Sequence, residues 1–297
     1  MESMFNYRPA LAGKIAVITG ATSGIGLATA VLLAHHGARI IAVGRDANRC
    51  RNAEEDIRAS CPEARISFLL ADFASQKQVR RLAAEIRSLD LPCLDILVNN
   101  AGVYSQKKVL TEDGIEKTFA VNHLAPFILT HELLPLLVRS SNGRVITVSS
   151  DSHYHLTLNP RVLDNPAFYL GILAYGQSKL ANILFTAEFN RRNSKSFVHA
   201  YAVDPGLVKT DIALKDQPLI SRLIWKIRSS AGVDPLVPAR TILYLATDPS
   251  IQHSPENYWH DQCPKKASHQ ANDPALSREL WDTSSRLCGF PGREQES

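Results

Sequence analysis

The feature that most constrains this chain is a cluster of glycines between a short apolar run and a helical pattern near its start. Residues 14–19 (KIAVIT) are apolar and β-branched, and they lead into Gly20, Gly24 and Gly26. After the helical pattern, residues 39–43 (RIIAV) form a second apolar run. Strand, glycine-rich turn, helix and strand make one βαβ unit, and such units build parallel sheets with helices on both faces.

The same alternation continues along the chain, with no linker rich in Pro, Gly or Ser. We therefore expect one α/β domain over residues 1–297, a doubly wound parallel sheet of the Rossmann type. The pattern predicts further strands over residues 65–71, 94–98, 144–149 and 198–203. It predicts helices over residues 75–88 (with Ser75 as the N-cap), 111–139, 174–192, 235–246 and 275–287.

Two stretches, residues 151–173 and 211–233, interrupt this rhythm directly after strands. In an open α/β sheet the ligand crevice lies at the carboxyl ends of the strands. We therefore predict that both stretches form loops that wall a substrate pocket. Residues 219–227 are amphipathic, which favours a lid over the pocket and leaves contact with a membrane surface as the alternative.

Composition excludes several classes of protein. The net charge is +4, and the basic residues are scattered in pairs such as Lys265–Lys266, which are typical of solvated faces, so we expect no nucleic-acid partner. Five cysteines without a Cys-x-x-Cys argue against a disulfide framework or a zinc site, and free thiols fit a reducing compartment. His153 and His155 have loop-like spacing, and we predict pocket or surface roles for them rather than metal binding.

Sorting signals are not apparent in the sequence either. There is no run of about 18 apolar residues, and residues 1–13 lack the apolar region of a signal peptide. We expect a cytoplasmic protein without a transmembrane segment.

Tyr175 and Lys179 are four residues apart in a predicted helix, so they share one face. A tyrosine with its ordinary pKa near 10 is a poor acid–base group at neutral pH, but a nearby ammonium favours the phenolate and lowers that pKa. Tyr175 could then donate a proton to a carbonyl oxygen or remove one from an alcohol. A plain surface pair is the alternative for this spacing alone.

A series of motifs in chain order resembles the short-chain dehydrogenase/reductase family, over roughly residues 13–287. Finer features resemble its retinol-dehydrogenase-like branch, namely VNHL at residues 121–124, YGQSKLAN at 175–182, and the long gap between Ser150 and Tyr175. Asp204 departs from that branch, where His is common. The family motifs are TGATSGIG at residues 19–26, NNAG at 99–102, VSS at 148–150, YGQSK at 175–179 and DPG at 204–206.

The resemblance implies four catalytic residues. Tyr175 would be the general acid/base, and Lys179 would also bond the nicotinamide ribose. Ser150 would hold the substrate oxygen, whereas Ser149 would end the strand. Asn122 would steady a water relay through Lys179.

The resemblance also implies a nicotinamide dinucleotide, NADP(H) in preference to NAD(H). Gly44 occupies the position where an acidic residue would select NAD, and the next residue is Arg45, which matches the NADP pattern. Asp46 is a counter-signal that could instead cap the next helix. Asp72 would bond the adenine amine or else cap a helix, and Asn100 would support the central fold. The implied cofactor-binding residues are Gly20, Ser23, Gly24, Ile25, Gly26, Arg45, Asp72, Phe73, Asn99, Ala101, Gly102, Tyr175, Lys179, Pro205, Gly206, Val208 and Thr210.

The sequence thus predicts an NADP(H)-dependent oxidoreductase that acts on a lipophilic carbonyl or alcohol of retinoid, steroid or ketone type. Two alternatives stay open. One is reduction of a carbon–carbon double bond, as in the related protochlorophyllide reductases, and the other is a catalytically silent dinucleotide-binding scaffold. The sequence leaves the exact substrate, the physiological direction and the oligomeric state undecided.

Overall fold

The strands are apolar at almost every position because both faces of the sheet are covered. The computed structural model describes residues 10–208 and 232–291. In the first strand, Ile15 and Val17 pack into one hydrophobic core, while Ala16 and Ile18 pack into a second core on the opposite face. Such continuous apolar runs are typical of parallel sheets that lie between two layers of helices.

Within the described ranges, eight strands form one sheet in the order β3-β2-β1-β4-β5-β6-β7-β8. Neighbouring strands are parallel from β3 to β7, and β8 runs antiparallel to β7. This arrangement confirms the predicted doubly wound sheet. The strands are β1 Ile15–Thr19, β2 Arg39–Gly44, β3 Arg65–Leu70, β4 Ile96–Asn99, β5 Gly143–Val148, β6 Val198–Val203, β7 Tyr258–His260 and β8 Cys263–Pro264.

The helices cover the sheet in two layers. Helices α1, α2 and α7 contribute to one core, and α3, α5, α6 and α8 contribute to the other. None of the helices in the described part of the chain is long and apolar enough to cross a membrane. The helices are α1 Gly24–His35, α2 Ala47–Ser60, α3 Gln76–Ser88, α4 Lys117–Phe119, α5 Ala125–Leu137, α6 Gly171–Arg192, α7 Leu236–Thr247 and α8 Pro274–Leu287.

Two predicted boundaries are wrong. The helical region expected over residues 111–139 begins at Lys117, because the Glu116 carboxylate accepts the N–H groups of Thr118 and Phe119 and starts the helix there. The loop expected over residues 151–173 contains two short 3-10 turns and ends where α6 begins at Gly171. Of the second predicted loop, residues 211–231 lie outside the described residues.

The strand order reverses between β1 and β4, which is the switch point where open α/β sheets bind ligands. The loops that follow β1, β4, β5 and β6 meet at this edge of the sheet. These loops carry the glycine-rich turn, the residues after Asn99, the Ser149–Ser150 pair and the Asp204–Gly206 segment. The fold therefore gathers most of the predicted site residues at one crevice.

Candidate active site

The glycine-rich turn packs β1 against α1 at very short range. Gly20 has a φ of +67°, in the left-handed region that favours glycine. A Cβ on Gly26 would overlap the Gly20 carbonyl oxygen and lie 2.5 Å from Asn100 Nδ2. Gly20 therefore permits the tight turn after β1, and Gly26 permits the close packing of α1 against that turn.

The first turn of α1 is arranged to receive an anion. Ser23 occupies the N-cap position, and its hydroxyl makes no capping hydrogen bond to the helix. N–H groups in the first turn of a helix lack intrahelical partners and favour negative groups such as phosphates. The predicted phosphate-binding residues Ser23, Gly24, Ile25 and Gly26 all lie in this turn.

We expect Gly26→Ala to lower the free energy of unfolding by about 1–3 kcal/mol, the usual cost of overpacking. The added methyl would have to displace the backbone of Gly20 or the amide of Asn100. Thermal denaturation of the purified variant checks this expectation. An unchanged melting temperature would mean that the turn is looser than its geometry implies.

Asn100 joins the ends of β1 and β4, which supports its predicted structural role. Its Nδ2 donates to the carbonyls of Thr19 at 2.8 Å and Gly20 at 3.2 Å. The Thr19 hydroxyl in turn accepts the N–H groups of Asn100 and Ala101. Asn99 is different, because its buried amide donates to two threonine hydroxyls, of Thr130 and Thr147, inside the fold.

The placement of Asn99 limits its predicted cofactor contact to its backbone. Ala101 and Gly102 continue from β4 and are half-buried at the crevice. Their contacts with a cofactor stay predictions.

The two residues after β2 that could select the cofactor, Arg45 and Asp46, have different surroundings. Asp46 is the N-cap of α2, and its side chain accepts the Arg49 N–H at 2.9 Å, which agrees with the capping alternative. Arg45 is exposed at the surface. A Cβ at Gly44 would overlap Cys50 Sγ and lie 2.7 Å from Thr22 Cγ2, so a side chain there would require these two side chains to move.

After β3, Asp72 forms a tight turn rather than a helix cap. Its Oδ1 accepts the Ala74 N–H at 3.0 Å, whereas the N-cap of α3 is Ser75, as predicted. Phe73 is buried in the hydrophobic core. Asp72 is partly exposed, so its predicted contact with an adenine amine stays a prediction that this placement permits.

Tyr175 and Lys179 lie next to each other on α6. Lys179 Nζ is 5.5 Å from the centre of the Tyr175 ring and donates to the Val148 carbonyl at 2.9 Å. Lys179 is buried, and Tyr175 is partly buried with its ring against Tyr104. The predicted shared face is therefore present, and the alternative of a solvated surface pair is wrong.

The two serines after β5 have different surroundings. Ser149 is fully buried and donates to the Lys179 carbonyl at 2.8 Å, so it closes the strand as predicted. The Ser150 hydroxyl caps a short 3-10 turn and donates to the Ser152 hydroxyl at 3.1 Å, and it lies near enough to the Tyr175 phenol to act on its pKa. Ser150 is thus the serine that lies beside the candidate acid/base.

Burial raises the pKa of Tyr175 to about 12, and the Asp204 carboxylate acts in the same direction, while the Ser150 hydroxyl opposes them. Burial also lowers the pKa of Lys179 to about 8. The expectation that the Lys179 ammonium lowers the pKa of Tyr175 is therefore wrong for the chain's own groups. The consequence is a tyrosine that retains its proton and is suited to donate it.

Asn122 lies in a π-helical turn over Ala120–Leu124 that interrupts the helix between α4 and α5. Its side chain exchanges two hydrogen bonds with the Val103 backbone, at 2.7 and 3.0 Å, and donates to the Ser178 hydroxyl at 2.9 Å. The side-chain amide is thus occupied within the protein. A water relay at Asn122 stays a prediction, and it would have to use the backbone.

The segment after β6 carries the predicted nicotinamide-side residues. Pro205 and Gly206 lie at the crevice, and Val208 is buried and paired with Val233. Thr210 lies outside the described residues.

Sequence reasoning missed two residues of this edge. Lys265, read as part of a solvated basic pair, is half-buried between the carboxylates of Asp151 and Asp204. Asp204, which the family motif marks only as a departure from the retinol-dehydrogenase-like pattern, is fully buried near Tyr175. Of the two histidines predicted to have pocket or surface roles, His153 is buried with both ring nitrogens in hydrogen bonds, and His155 is exposed.

Comparisons with known proteins agree with this architecture. A model of the short chain dehydrogenase family matches residues 14–218. The chain is 36% identical to retinol dehydrogenase 14 of Mus musculus, over 94% of this chain and 86% of that protein. It is 32% identical to polyprenol dehydrogenase of Homo sapiens, over 97% and 88%.

A solved structure of an uncharacterized protein from Mycobacterium paratuberculosis superposes with a TM-score of 0.72 at 31% identity, covering 96% of this chain and 99% of that chain. The family match spans more than half of the chain, and the curated relatives are matched over most of their length. This chain therefore belongs to the short-chain dehydrogenases and is an oxidoreductase of their retinol-dehydrogenase-like branch.

Proposed function

We propose that the protein transfers a hydride between NADP(H) and a lipophilic carbonyl or alcohol, with Tyr175 as the general acid/base. The observation that carries this proposal is the position of Tyr175, whose phenol lies near Ser150 and whose ring centre lies 5.5 Å from Lys179 Nζ. The glycine-rich turn opens at the same edge of the sheet. A proton donor, an oxygen-binding hydroxyl and an anion-binding turn therefore share one crevice.

The chain's own residues account for the proton half of the reaction. In reduction, the Ser150 hydroxyl would donate a hydrogen bond to the carbonyl oxygen, and Tyr175 would give that oxygen its proton. In oxidation, the Tyr175 phenolate would take the proton of the alcohol. Bound NADP(H) would supply or accept the hydride. Lys179 would orient the nicotinamide ribose beside Tyr175.

The fit of the site to NADP(H) rests on two positions. The Ser23 hydroxyl is not used to cap α1, and Arg45 is exposed directly after β2. A 2′-phosphate near these residues would meet a hydroxyl and a guanidinium, and charge-assisted bonds to guanidinium groups are strong. Gly44 presents no carboxylate that would repel that phosphate.

We expect Arg45→Ala to weaken NADPH binding roughly ten- to a hundredfold and to leave NADH binding almost unchanged. Charge-assisted hydrogen bonds of about 1.5–3 kcal/mol correspond to that range. Fluorescence titration of both cofactors checks it. Arg51→Ala is the matched control, because Arg51 is also exposed on α2 but bonds Asn48. Equal loss of both cofactors in Arg45→Ala, or a wild-type preference for NADH, would contradict the NADP(H) proposal.

An apolar substrate is supported by the surface that precedes Tyr175. Phe168, Leu170 and Ile172 expose 76%, 49% and 57% of their surface close to the start of α6. Large apolar side chains that are exposed together often mark a ligand-binding or interaction surface. Two relatives are named for retinol and polyprenol, which are apolar alcohols, and this supports the same substrate class here.

A turnover screen tests the proposal. Purified protein is mixed with NADPH or NADH and with retinaldehyde, a steroid ketone or a long-chain aldehyde, and nicotinamide absorbance is followed. We expect NADPH consumption with at least one of these carbonyls and slower consumption of NADH. Tight NADPH binding without turnover on any of them would favour the silent scaffold instead.

A further inference from the structure

Three charged side chains form a bridge between two loops of the crevice. Lys265 Nζ donates to Asp204 Oδ2 and to Asp151 Oδ1, each at 2.5 Å. Asp204 is fully buried, Lys265 is about one-quarter exposed, and Asp151 is mostly exposed. The lysine therefore lies between an inner and an outer carboxylate.

Each carboxylate belongs to a loop with a proposed role in the reaction. Asp151 follows Ser150 directly and is the first residue of the 3-10 turn that Ser150 caps. Asp204 precedes Pro205, and its Oδ1 accepts the Gly206 N–H at 2.9 Å. The bridge thus joins the loop that would hold the substrate oxygen to the loop that would lie beside the nicotinamide.

The hairpin that presents Lys265 has an unusual turn. Strands β7 and β8 are joined by Asp261 and Gln262, which have φ values of +45° and +62° although neither is glycine. Two successive positive φ values make the tight turn of a two-residue hairpin, and non-glycine residues adopt them only at a cost. The Lys265 N–H bonds the Tyr258 carbonyl at 2.8 Å, so the hairpin fixes the start of the lysine side chain.

The bridge also sets the charge next to Tyr175. Although burial opposes ionisation, the bonds from Lys265 and Gly206 keep the pKa of Asp204 below its ordinary value. Burial likewise opposes the Lys265 ammonium, but the two carboxylates raise the pKa of Lys265. Both groups are therefore charged at neutral pH. The titratable side chains around Tyr175 and this bridge are Tyr104, Asp151, His153, Tyr154, Lys179, Asp204, Tyr258, His260 and Lys265.

We propose that Lys265 is a positioning residue. It fixes the loops that carry Ser150 and Gly206 relative to each other, and it neutralises the charge of Asp204 beside Tyr175. This inference rests on the proposed function for its catalytic consequence, because the loops matter to turnover only if they hold substrate and nicotinamide. Its structural part, the joining of the two loops, can be tested separately.

Amide hydrogen exchange tests the joining without any substrate. In Lys265→Met we expect faster exchange in residues 149–155 and 204–208 together, since both loops lose their shared partner. Lys265→Arg should restore protection. Lys266→Met is the matched control, because Lys266 is an exposed neighbour whose backbone carbonyl, rather than its side chain, contacts Tyr154. Unchanged exchange in both loops of Lys265→Met would overturn the proposal.

Asp151→Ala is a second variant for the case that Lys265→Met does not fold. Asp151 is exposed, and its loss leaves the buried Asp204–Lys265 pair intact. We expect kcat to fall about ten- to a hundredfold, because a displacement of about 1 Å at a reacting group can cost that much. The cofactor KM should change little. Lys265→Arg should keep most of the wild-type kcat. A kcat for Asp151→Ala equal to that of the wild type would contradict the positioning role.

The pH dependence of alcohol oxidation separates positioning from a merely structural role. Oxidation needs the Tyr175 phenolate, so its rate rises with pH. Asp204→Asn removes a negative charge near the phenol and should move this rise to lower pH, whereas Lys265→Met leaves Asp204 unscreened and should move it to higher pH. Shifts in the same direction, or none, would overturn the electrostatic part. If the wild-type protein turns over no substrate, the proposed function fails, while the exchange data still decide whether the bridge joins the loops.

Discussion

Tyr175→Phe is expected to lower kcat by about 10²–10⁴-fold while NADPH still binds with nearly wild-type affinity. Loss of a positioned general acid or base typically costs that much. The substitution removes the phenol hydroxyl near Ser150 and keeps the ring that packs against Tyr104. Steady-state kinetics with the best carbonyl of the screen and a fluorescence titration of NADPH measure the two quantities.

Tyr104→Phe is the matched control for that experiment. The centres of the Tyr104 and Tyr175 rings are 5.9 Å apart. The control therefore removes a phenol hydroxyl from a tyrosine next to Tyr175. We expect Tyr104→Phe to keep kcat within a few-fold of wild type. A Tyr175→Phe enzyme that works at a near-normal rate would remove Tyr175 from the proton transfer.

Lys179→Ala is expected to lower both turnover and cofactor affinity, because Lys179 is proposed to bind the nicotinamide ribose and to orient it beside Tyr175. Turnover should fall by about a hundredfold because the nicotinamide ribose would no longer be held in place beside Tyr175. NADPH affinity should fall about ten- to a hundredfold through loss of a charge-assisted hydrogen bond to the ribose. Parallel kinetics and NADPH titration separate the two losses.

Lys179 is buried, so its truncation also leaves a cavity in the fold. Lys179→Met keeps most of the side-chain volume and serves as the control for packing. Both variants should lose cofactor affinity to a similar extent. Wild-type NADPH affinity in Lys179→Met would contradict the proposed ribose contact.

Local sequence patterns predicted the parts of the site that depend on neighbours along the chain. The glycine spacing predicted the turn from β1 to α1, and the four-residue spacing of Tyr175 and Lys179 predicted their shared face. The strand alternation predicted the sheet because buried parallel strands are continuously apolar. In each case the physical signal lies within a few residues.

Contacts between distant segments could not be predicted in this way. Lys265 is 61 residues from Asp204 and 114 from Asp151, and its pairing depends on the β7–β8 hairpin. That hairpin turns at Asp261 and Gln262 without the Asn-Gly or Asp-Gly pair that is typical of tight turns. The sequence near the turn therefore predicts neither β7 and β8 nor the burial of Lys265.

The pKa of Tyr175 also depends on contacts between distant segments. From the helix alone, the Lys179 ammonium is the charge that matters, and it predicts a lowered pKa. In the folded chain, burial and the Asp204 carboxylate raise this pKa instead, and Asp204 follows a different strand, β6. The sign of the shift is thus a property of the tertiary structure.

Hydride transfer from labelled cofactor distinguishes carbonyl reduction from double-bond reduction and from a silent scaffold. Protein, NADPH carrying deuterium at nicotinamide C4 and retinaldehyde, which offers both a carbonyl and conjugated double bonds, are incubated together, and the product is examined by mass spectrometry and NMR. If retinaldehyde is not turned over, an unsaturated carbonyl active in the screen replaces it. We predict deuterium on the carbinol carbon of an alcohol product. Deuterium on a former double-bond carbon, with the carbonyl intact, would contradict it in favour of the double-bond reductase, and no transfer to any carbonyl despite NADPH binding would contradict it in favour of the scaffold.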